Sequence, residues 1–126
     1  MKNTVLLLAI VGFLFSCNIS DDTNKIKNEL NGDWNLISVR CFCEPVNLET
    51  REHIWEFNLT ENELNVTNNV SEDLHTILET GTYDFNVIGS KITILNIEYD
   101  FYFKNEKLFL TNQPESDGPI IEFIKD

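Results

Sequence analysis

Two cysteines separated by one residue, Cys41 and Cys43, are the most chemically distinctive feature of the sequence. Residues i and i+2 of an extended strand face the same way, with alpha carbons roughly 6.5–7 Å apart, at the edge of what a disulfide bridges. A disulfide here therefore predicts a kink in the chain, which the nearby Pro45 favours. Two alternatives stay open: two buried free thiols, or two thiolate ligands for a soft metal together with His53 or His75.

The same residues give no recognisable catalytic or zinc motif. The cysteine spacing differs from C-x₂-C, and we predict no metal site and no cofactor. His53 shares the parity of Trp55 and faces the barrel mouth in this interpretation. Neither His53 nor His75 has a serine or cysteine at a sequence spacing known from catalytic sites. With 21 acidic residues, carboxylate pairs of the kind that hydrolyse glycosides arise easily by chance. We therefore predict a protein that is not an enzyme and has no catalytic residues.

The charge of the chain restricts its partners. The formal net charge is −12, from nine Lys and Arg against 21 Asp and Glu. Such a surface repels phosphate backbones, and no basic patch offsets it, so we expect no nucleic-acid binding. Anionic lipid headgroups are repelled as well, so attachment to a membrane must rest on a lipid. Nine Phe, three Tyr and two Trp are ample for a core, so the acidity does not indicate disorder.

The N-terminal segment has the pattern of an export signal. A positive charge precedes an apolar run from Val5 to Phe15, and then Ser16 and Cys17 follow. The apolar run is shorter than the ~20 residues that span a bilayer as a helix, which favours a cleaved signal over a permanent anchor. Residues 1–16 are therefore predicted to be a signal peptide.

The end of that signal resembles the lipobox of bacterial lipoproteins, Leu14-Phe15-Ser16-Cys17 in this sequence. The resemblance implies that Cys17 is lipidated and that the protein is attached to the membrane through this lipid, as an outer-membrane lipoprotein of the cell envelope facing the periplasm or the cell surface. Residues 17–25 are polar and predict a flexible tether. Within them, Ser20-Asp21-Asp22 resembles the surface-export signal of Bacteroidetes lipoproteins, with an ordinary solvated linker as the alternative.

After the tether, the sequence predicts a short helical turn and then seven or eight antiparallel strands. Ile26 and Leu30 lie four residues apart, as on one face of a helix, and Asn31-Gly32 stops the turn. Most later segments alternate apolar and polar residues, and short turns join them. No segment predicts a helix long enough to connect parallel strands. We therefore predict an all-β fold, an up-and-down meander that closes into a small barrel over residues 26–126.

Three segments of this barrel are less regular. Strand one is predicted from about Asp33 to Cys43. Trp34 and Val39 are both apolar but fall on opposite parities, so either both faces are covered or a bulge switches them. Residues 46–51 are predicted to be a loop. Residues 68–79 fit a helical turn and a short strand equally well.

The start of the domain also resembles a known family. A helical turn that runs into Gly32-Asp33-Trp34 resembles the Gly-x-Trp signature of lipocalins. The small lipocalin-like lipoproteins of the Bacteroidetes are resembled by two later segments, Gly81-Thr82-Tyr83-Asp84-Phe85 and the closing segment Gly118–Phe123. Lipocalins pack a late arginine over that tryptophan. The only arginines here are Arg40 and Arg51, so we expect that partner to be missing. The resemblance implies a non-catalytic protein that binds a small apolar ligand inside the barrel.

Seven aromatic residues fall on inward parities and are the candidates to line a ligand cavity. They are Trp55, Phe57, Tyr83, Phe85, Tyr99, Phe101 and Phe103. In the competing interpretation they simply fill the barrel, which an eight-stranded barrel is narrow enough to allow. Two other functions therefore stay open. One is a protein-interaction module with a filled core, and the other is a metal-binding or redox protein that uses Cys41 and Cys43.

Overall fold

The structure is a computed structural model that describes residues 19–74 and 76–126, with side chains from Lys25 onward in those ranges. The predicted signal peptide, the predicted lipidation site Cys17, and His75 all lie outside the described residues. The elements are, in chain order, α1 (Ile19–Leu30), β1 (Gly32–Arg40), β2 (Val46–Asn47), β3 (His53–Asn58), β4 (Glu63–Asn68), β5 (Gly81–Ile88), β6 (Lys91–Ile94), β7 (Ile97–Lys104), β8 (Lys107–Thr111), a 3-10 turn (Pro114–Ser116) and β9 (Ile120–Lys125).

Eight of these strands form a closed antiparallel barrel. Each strand from β3 to β8 pairs with the next one in the chain, and β1 closes the sheet by pairing with both β3 and β9. Closure leaves the barrel without the unpaired edges that invite aggregation. The short strand β2 lies within the predicted loop 46–51 and pairs with the second half of β1, beyond the part that pairs with β3. The predicted all-β meander barrel is confirmed, with one extra strand.

A bulge in β1 explains the change of parity in its sequence. The register of β1 against β9 shifts between Leu36 and Ser38, so Ile37 has no partner in β9. Leu36 and Val39 are both buried as a result, although an unbroken strand would point them to opposite faces. The carbonyl of Ile37 instead accepts a hydrogen bond from the backbone N–H of Leu48 at 2.9 Å. The bulge thereby holds the chain that follows β2 against the barrel.

β1 ends at Arg40 and not at Cys43 as predicted. Cys41 and Cys43 form a disulfide, and their alpha carbons are 5.0 Å apart. An extended chain separates such atoms by roughly 6.5–7 Å, so the bridge requires the chain to bend. The bend over residues 41–43 therefore takes the place of the last predicted strand residues.

The helix α1 is longer than the predicted turn. It begins at Ile19, inside the segment 17–25 that was predicted to be a flexible tether, and it ends at Leu30. The segment contains no Gly or Pro to break it, and Lys27 in its last turn complements the helix dipole, so polarity alone did not prevent a helix. Gly32 adopts a φ of 110°, which a glycine reaches without strain, and this redirects the chain into β1.

Contacts between α1, β1 and β9 close one end of the barrel, which is called the closed end below. The indole N–H of Trp34 donates to the carbonyl of Leu30 at 2.8 Å, and Leu30 itself is fully buried. The Lys125 ammonium lies 4.6 Å from the centre of the Trp34 ring and donates to the carbonyl of Asn31 at 2.7 Å. The sequence has no late arginine to pack over Trp34, and Lys125 supplies the cation there instead.

Side chains fill the interior of the barrel. The alternation along the strands places apolar residues inside, and several large ones are completely or almost completely buried: Phe57, Leu64, Ile92, Leu108, Leu110 and Phe123. Aromatic rings contact one another across the core. The ring centres of Trp55 and Phe123 are 4.9 Å apart, and Phe85 meets Phe57 edge-on at 5.4 Å.

Candidate functional site

Four connections meet at the end of the barrel opposite α1, and this end is called the loop end. They are residues 41–52, 69–80, 95–96 and 112–119. Because successive antiparallel strands reverse direction, every second connection emerges at the same end of a meander. Loops carried by a rigid scaffold are the usual location of binding residues, so a binding site is expected at this end.

His53 joins one of these loops to the barrel wall. Its side chain is fully buried, and its Nε2 atom lies 2.8 Å from the carbonyl oxygen of Leu78. Its Nδ1 atom accepts a hydrogen bond from the indole N–H of Trp55 at 3.2 Å. A carbonyl only accepts and an indole N–H only donates, so the ring is neutral with its proton on Nε2. Burial lowers the pKa of His53 below its ordinary value of 6.5, against a smaller opposing effect of the Leu78 carbonyl.

A small cavity of about 70 Å³ lies between this loop and the barrel wall. Trp55 and Tyr99 line it from the barrel, and Ile77 and Leu78 line it from the loop. Its volume is that of about two water molecules in the liquid. Sites for small organic ligands usually measure roughly 300–1,000 Å³. The cavity is therefore too small for an apolar ligand of ordinary size.

The seven aromatic residues predicted to line a ligand cavity do not surround one common space. Two line the small cavity (Trp55 and Tyr99), three are buried in the core (Phe57, Phe85 and Phe101), and two are half-buried (Tyr83 and Phe103). The hydroxyl of Tyr83 donates to the carbonyl of Glu79 at 2.7 Å. The ring of Phe103 lies near the closed end, 5.9 Å from that of Trp34.

A larger groove of about 430 Å³ lies at the loop end, between the chain around β2 and the loop that follows β4. Its apolar lining is Pro45, Val46, Leu48, Val70 and Leu74. Its acidic lining is Glu44, Glu52, Glu72 and Asp73. We call this feature the acidic groove. Most of its apolar residues are buried or packed against the core, whereas most of its carboxylates are exposed, so the apolar part forms the floor and the acidic part the rim.

Hydrogen bonds hold both walls of the acidic groove. The N–H of Leu48 donates to the bulge carbonyl of Ile37 at 2.9 Å, which fixes the wall next to β2. The N–H of Asn69 donates to the carbonyl of Glu52 at 2.8 Å, which joins the two walls. The carboxylate of Glu52 also accepts from the N–H of Glu49 at 2.8 Å. The groove is thus a formed part of the barrel's loop end.

Sequence reasoning missed the acidic groove. One wall comes from residues 44–48, which cover the predicted strand end and the start of the predicted loop 46–51, and the other comes from residues 70–74 and Thr76, within the ambiguous segment 68–79. In each wall apolar residues stand next to carboxylates in the sequence, and this is the only trace of the groove in the local pattern of the described walls. Their meeting depends on the pairing of β2 with β1, and nothing in the local sequence pattern predicts that pairing.

The disulfide also lies at the loop end. Phe42, between the two cysteines, is 89% exposed, and its backbone N–H donates to the carbonyl of Asp117 at 3.3 Å. Cys41 is half-buried against the core, whereas Cys43 is exposed. His53 uses both ring nitrogens in hydrogen bonds within the barrel. Within the described part of the chain, no three His, Cys, Asp or Glu side chains come together as metal ligands would.

No protein-family model matches the chain, and no curated protein sequence matches it. Among residues 19–74 and 76–126, no helix has the length and apolar character that crossing a bilayer requires. The fold and the site together define a class of protein. It is a small closed antiparallel barrel with a filled interior and a preformed acidic groove among the loops at one end.

Proposed function

We propose that the protein is a non-catalytic binding module of the bacterial cell envelope that holds a cationic segment of a protein partner in its acidic groove. Cys17 carries its lipid anchor in this proposal. The observation that carries the proposal is the contrast between two spaces at the loop end. The acidic groove offers about 430 Å³, and the interior cavity about 70 Å³.

The charge of the acidic groove identifies the kind of partner. Four carboxylates line it, and among the described residues that line it there is no lysine or arginine. Lysine and arginine side chains lay their aliphatic stems on an apolar surface and keep their charged ends in water, which matches an apolar floor with an acidic rim. The net charge of −12 further attracts cationic partners over a distance and speeds their association. The occupant is therefore an exposed peptide segment that combines basic and apolar residues.

The lipocalin resemblance implied a different function, an apolar ligand inside the barrel. Such a ligand needs several times the volume of the cavity that Trp55 and Tyr99 line. Admitting it requires displacement of core side chains or of the loop held by His53. Both changes cost stability, whereas the acidic groove needs neither. We therefore favour the outer groove over the interior.

Anchoring at Cys17 is compatible with this use of the groove. The helix α1 begins two residues after Cys17 and joins the barrel at its closed end. Its length of 12 residues corresponds to a rise of about 18 Å. A barrel that is anchored from its closed end presents its loop end, and the acidic groove, to partners away from the lipid surface.

Peptide binding to the full chain in nanodiscs of neutral phosphatidylcholine tests the proposal. A fluorescent peptide of alternating lysine and leucine is compared with one in which glutamate replaces lysine. We expect the basic peptide to bind, the acidic peptide to bind at least about 10-fold more weakly, and the affinity to fall as salt rises.

Two variants locate the bound peptide. The double substitution Glu44→Gln and Glu72→Gln removes two rim charges, and we expect it to weaken binding by roughly 3–10-fold, as the loss of exposed charge pairs does. Asp84→Asn removes an exposed charge from the barrel wall in β5, outside the groove, and should leave the affinity nearly unchanged. Equal effects of the two changes, or equal binding of both peptides, contradict the proposal.

A further inference from the structure

We propose that the disulfide between Cys41 and Cys43 is an exchangeable redox site that oxidises pairs of thiols in unfolded, apolar polypeptide segments. The function is separate from peptide binding in the acidic groove, since no described residue of the groove lining is a cysteine. Three observations carry it. They are the small size of the loop that the disulfide closes, the exposure of Cys43, and the exposure of Phe42 between the two cysteines.

The loop that the disulfide closes is too short for the bridge to stabilise the fold much. Only Phe42 lies between the two cysteines, and the bridge lies beyond Arg40, where β1 has ended. A disulfide stabilises a protein mainly by restricting its unfolded chain, and this effect falls with the length of the closed loop. By linkage, a bridge that stabilises the fold little is stabilised little by the fold. It is therefore more easily reduced than a structural disulfide.

The two cysteine residues differ in exposure. Cys43 is exposed, whereas Cys41 is half-buried against the core. An incoming thiolate therefore attacks the sulfur of Cys43, and Cys41 is the leaving group. Glu44 follows Cys43 in the chain, and the protein carries a net charge of −12, so anionic thiols are repelled and neutral or cationic ones are favoured.

The exchange proceeds in two displacements. A substrate thiolate attacks Sγ of Cys43, a mixed disulfide forms, the Cys41–Cys43 bond breaks, and the Cys41 thiolate takes a proton from water. The second substrate thiolate then attacks the substrate sulfur of the mixed disulfide and releases Cys43 as a thiolate, which is protonated in turn. The substrate loses two electrons and two protons and gains a disulfide. A low-molecular-weight disulfide restores the Cys41–Cys43 bridge by the reverse exchange and is itself reduced to two thiols.

Phe42 selects the substrate. Its side chain is 89% exposed, and the hydrogen bond from its backbone N–H to Asp117 holds its position at the tip of the bend. An exposed aromatic ring is an efficient anchor for an apolar segment because it buries a large area at a low entropic cost. Unfolded polypeptides expose such segments together with their thiols, whereas folded proteins bury them. The site therefore fits unfolded chains that contain two reduced cysteines.

The first test measures how easily the bridge is reduced. The full chain carries three cysteines, so a Cys17→Ser form in detergent leaves Cys41 and Cys43 as its only thiols. It is equilibrated with reduced and oxidised glutathione, and its free thiols are counted by alkylation and mass spectrometry. We expect half reduction at a ratio [GSH]²/[GSSG] of about 1–10 mM, as for thiol oxidases of the disulfide-isomerase class. A bridge that stays more than about 90% oxidised throughout that range is structural and overturns the proposal.

The second test measures oxidation of a reduced two-cysteine peptide rich in leucine, with oxidised glutathione as the terminal oxidant. We expect Phe42→Ser to slow peptide oxidation about 5–10-fold and to leave the rate of cysteamine oxidation unchanged. The reason is that the peptide binds the Phe42 ring, whereas cysteamine does not. Ile88→Ser is the matched control, since Ile88 is 72% exposed at the closed end, and it should change neither rate. Equal slowing by both substitutions refutes the role of Phe42, and a wild-type rate no faster than glutathione alone refutes the exchange activity.

Discussion

Replacing His53 by leucine should destabilise the protein and detach the loop that follows β4. Leucine fills nearly the same volume but accepts and donates no hydrogen bond. The substitution leaves the buried indole N–H of Trp55 without its acceptor and the partly buried carbonyl of Leu78 without its donor. Each unsatisfied buried group costs about 1–3 kcal/mol, and the Leu78 carbonyl recovers part of its loss from water. We therefore expect the free energy of unfolding to fall by about 2–4 kcal/mol.

The same residue should make stability depend on pH. Burial holds the pKa of folded His53 below 6.5, the ordinary value that it regains on unfolding. Between these two pKa values the unfolded chain binds more protons at this residue than the folded chain, so stability rises with pH. The stabilising contribution of neutral His53 is fully present above pH 6.5 and is lost as the pH falls toward the lowered pKa. In the leucine variant this part of the pH dependence disappears.

Urea unfolding followed by tryptophan fluorescence between about pH 5 and 8 measures both effects. Phe57→Leu is the matched control, because Phe57 is buried in the same strand and cannot titrate. We expect it to lower the free energy of unfolding by about 1–2 kcal/mol at every pH. If the His53→Leu protein keeps the wild-type slope of stability against pH, or if the Phe57→Leu protein loses it, the role assigned to His53 is wrong.

Substitutions at two lysines probe the barrel wall. Lys125→Met removes the cation over Trp34 and the hydrogen bond to Asn31, and it should lower the free energy of unfolding by about 1–2 kcal/mol, whereas Lys125→Arg should restore most of it. Urea titration of the two proteins decides this, and equal losses contradict it. Lys107→Met breaks the 2.6 Å pair with Glu122, a half-buried residue, and should cost about 1 kcal/mol in low salt and less in 1 M salt, since salt screens ion pairs. A loss that does not change with salt assigns the effect to packing.

The barrel could be predicted from the sequence because its strands are half-buried. Residues on one parity, such as Trp55 and Phe57, face the core, and Glu56 between them faces water, which is the pattern that identifies a strand. The parity switch in β1 also carried information, and the bulge at Ile37 accounts for it. Burial on one face is what made these features visible in the local sequence.

Features that depend on distant residues could not be predicted in this way. Lys125 reaches Trp34 only because β9 pairs with β1, and the sequence between them is the whole barrel. The two walls of the acidic groove meet for a similar reason, since β2 pairs with β1 while the loop after β4 crosses nearby. The start of α1 at Ile19 was missed because a polar segment lacks the apolar face that identifies a helix.

The pairing of β1 with β9 has a consequence for how the protein is made. β1 cannot complete its pairing until β9, the last of the described strands, is available, so most of the chain must be present before the barrel can close. Contacts between residues so far apart in sequence slow folding, because the entropy of loop closure is lost before they form. In a chain that leaves the ribosome or crosses a membrane with its N-terminus first, the barrel therefore remains unclosed until β9 emerges. Delayed closure of this kind suits a polypeptide that must be transported unfolded and must become rigid only at its destination.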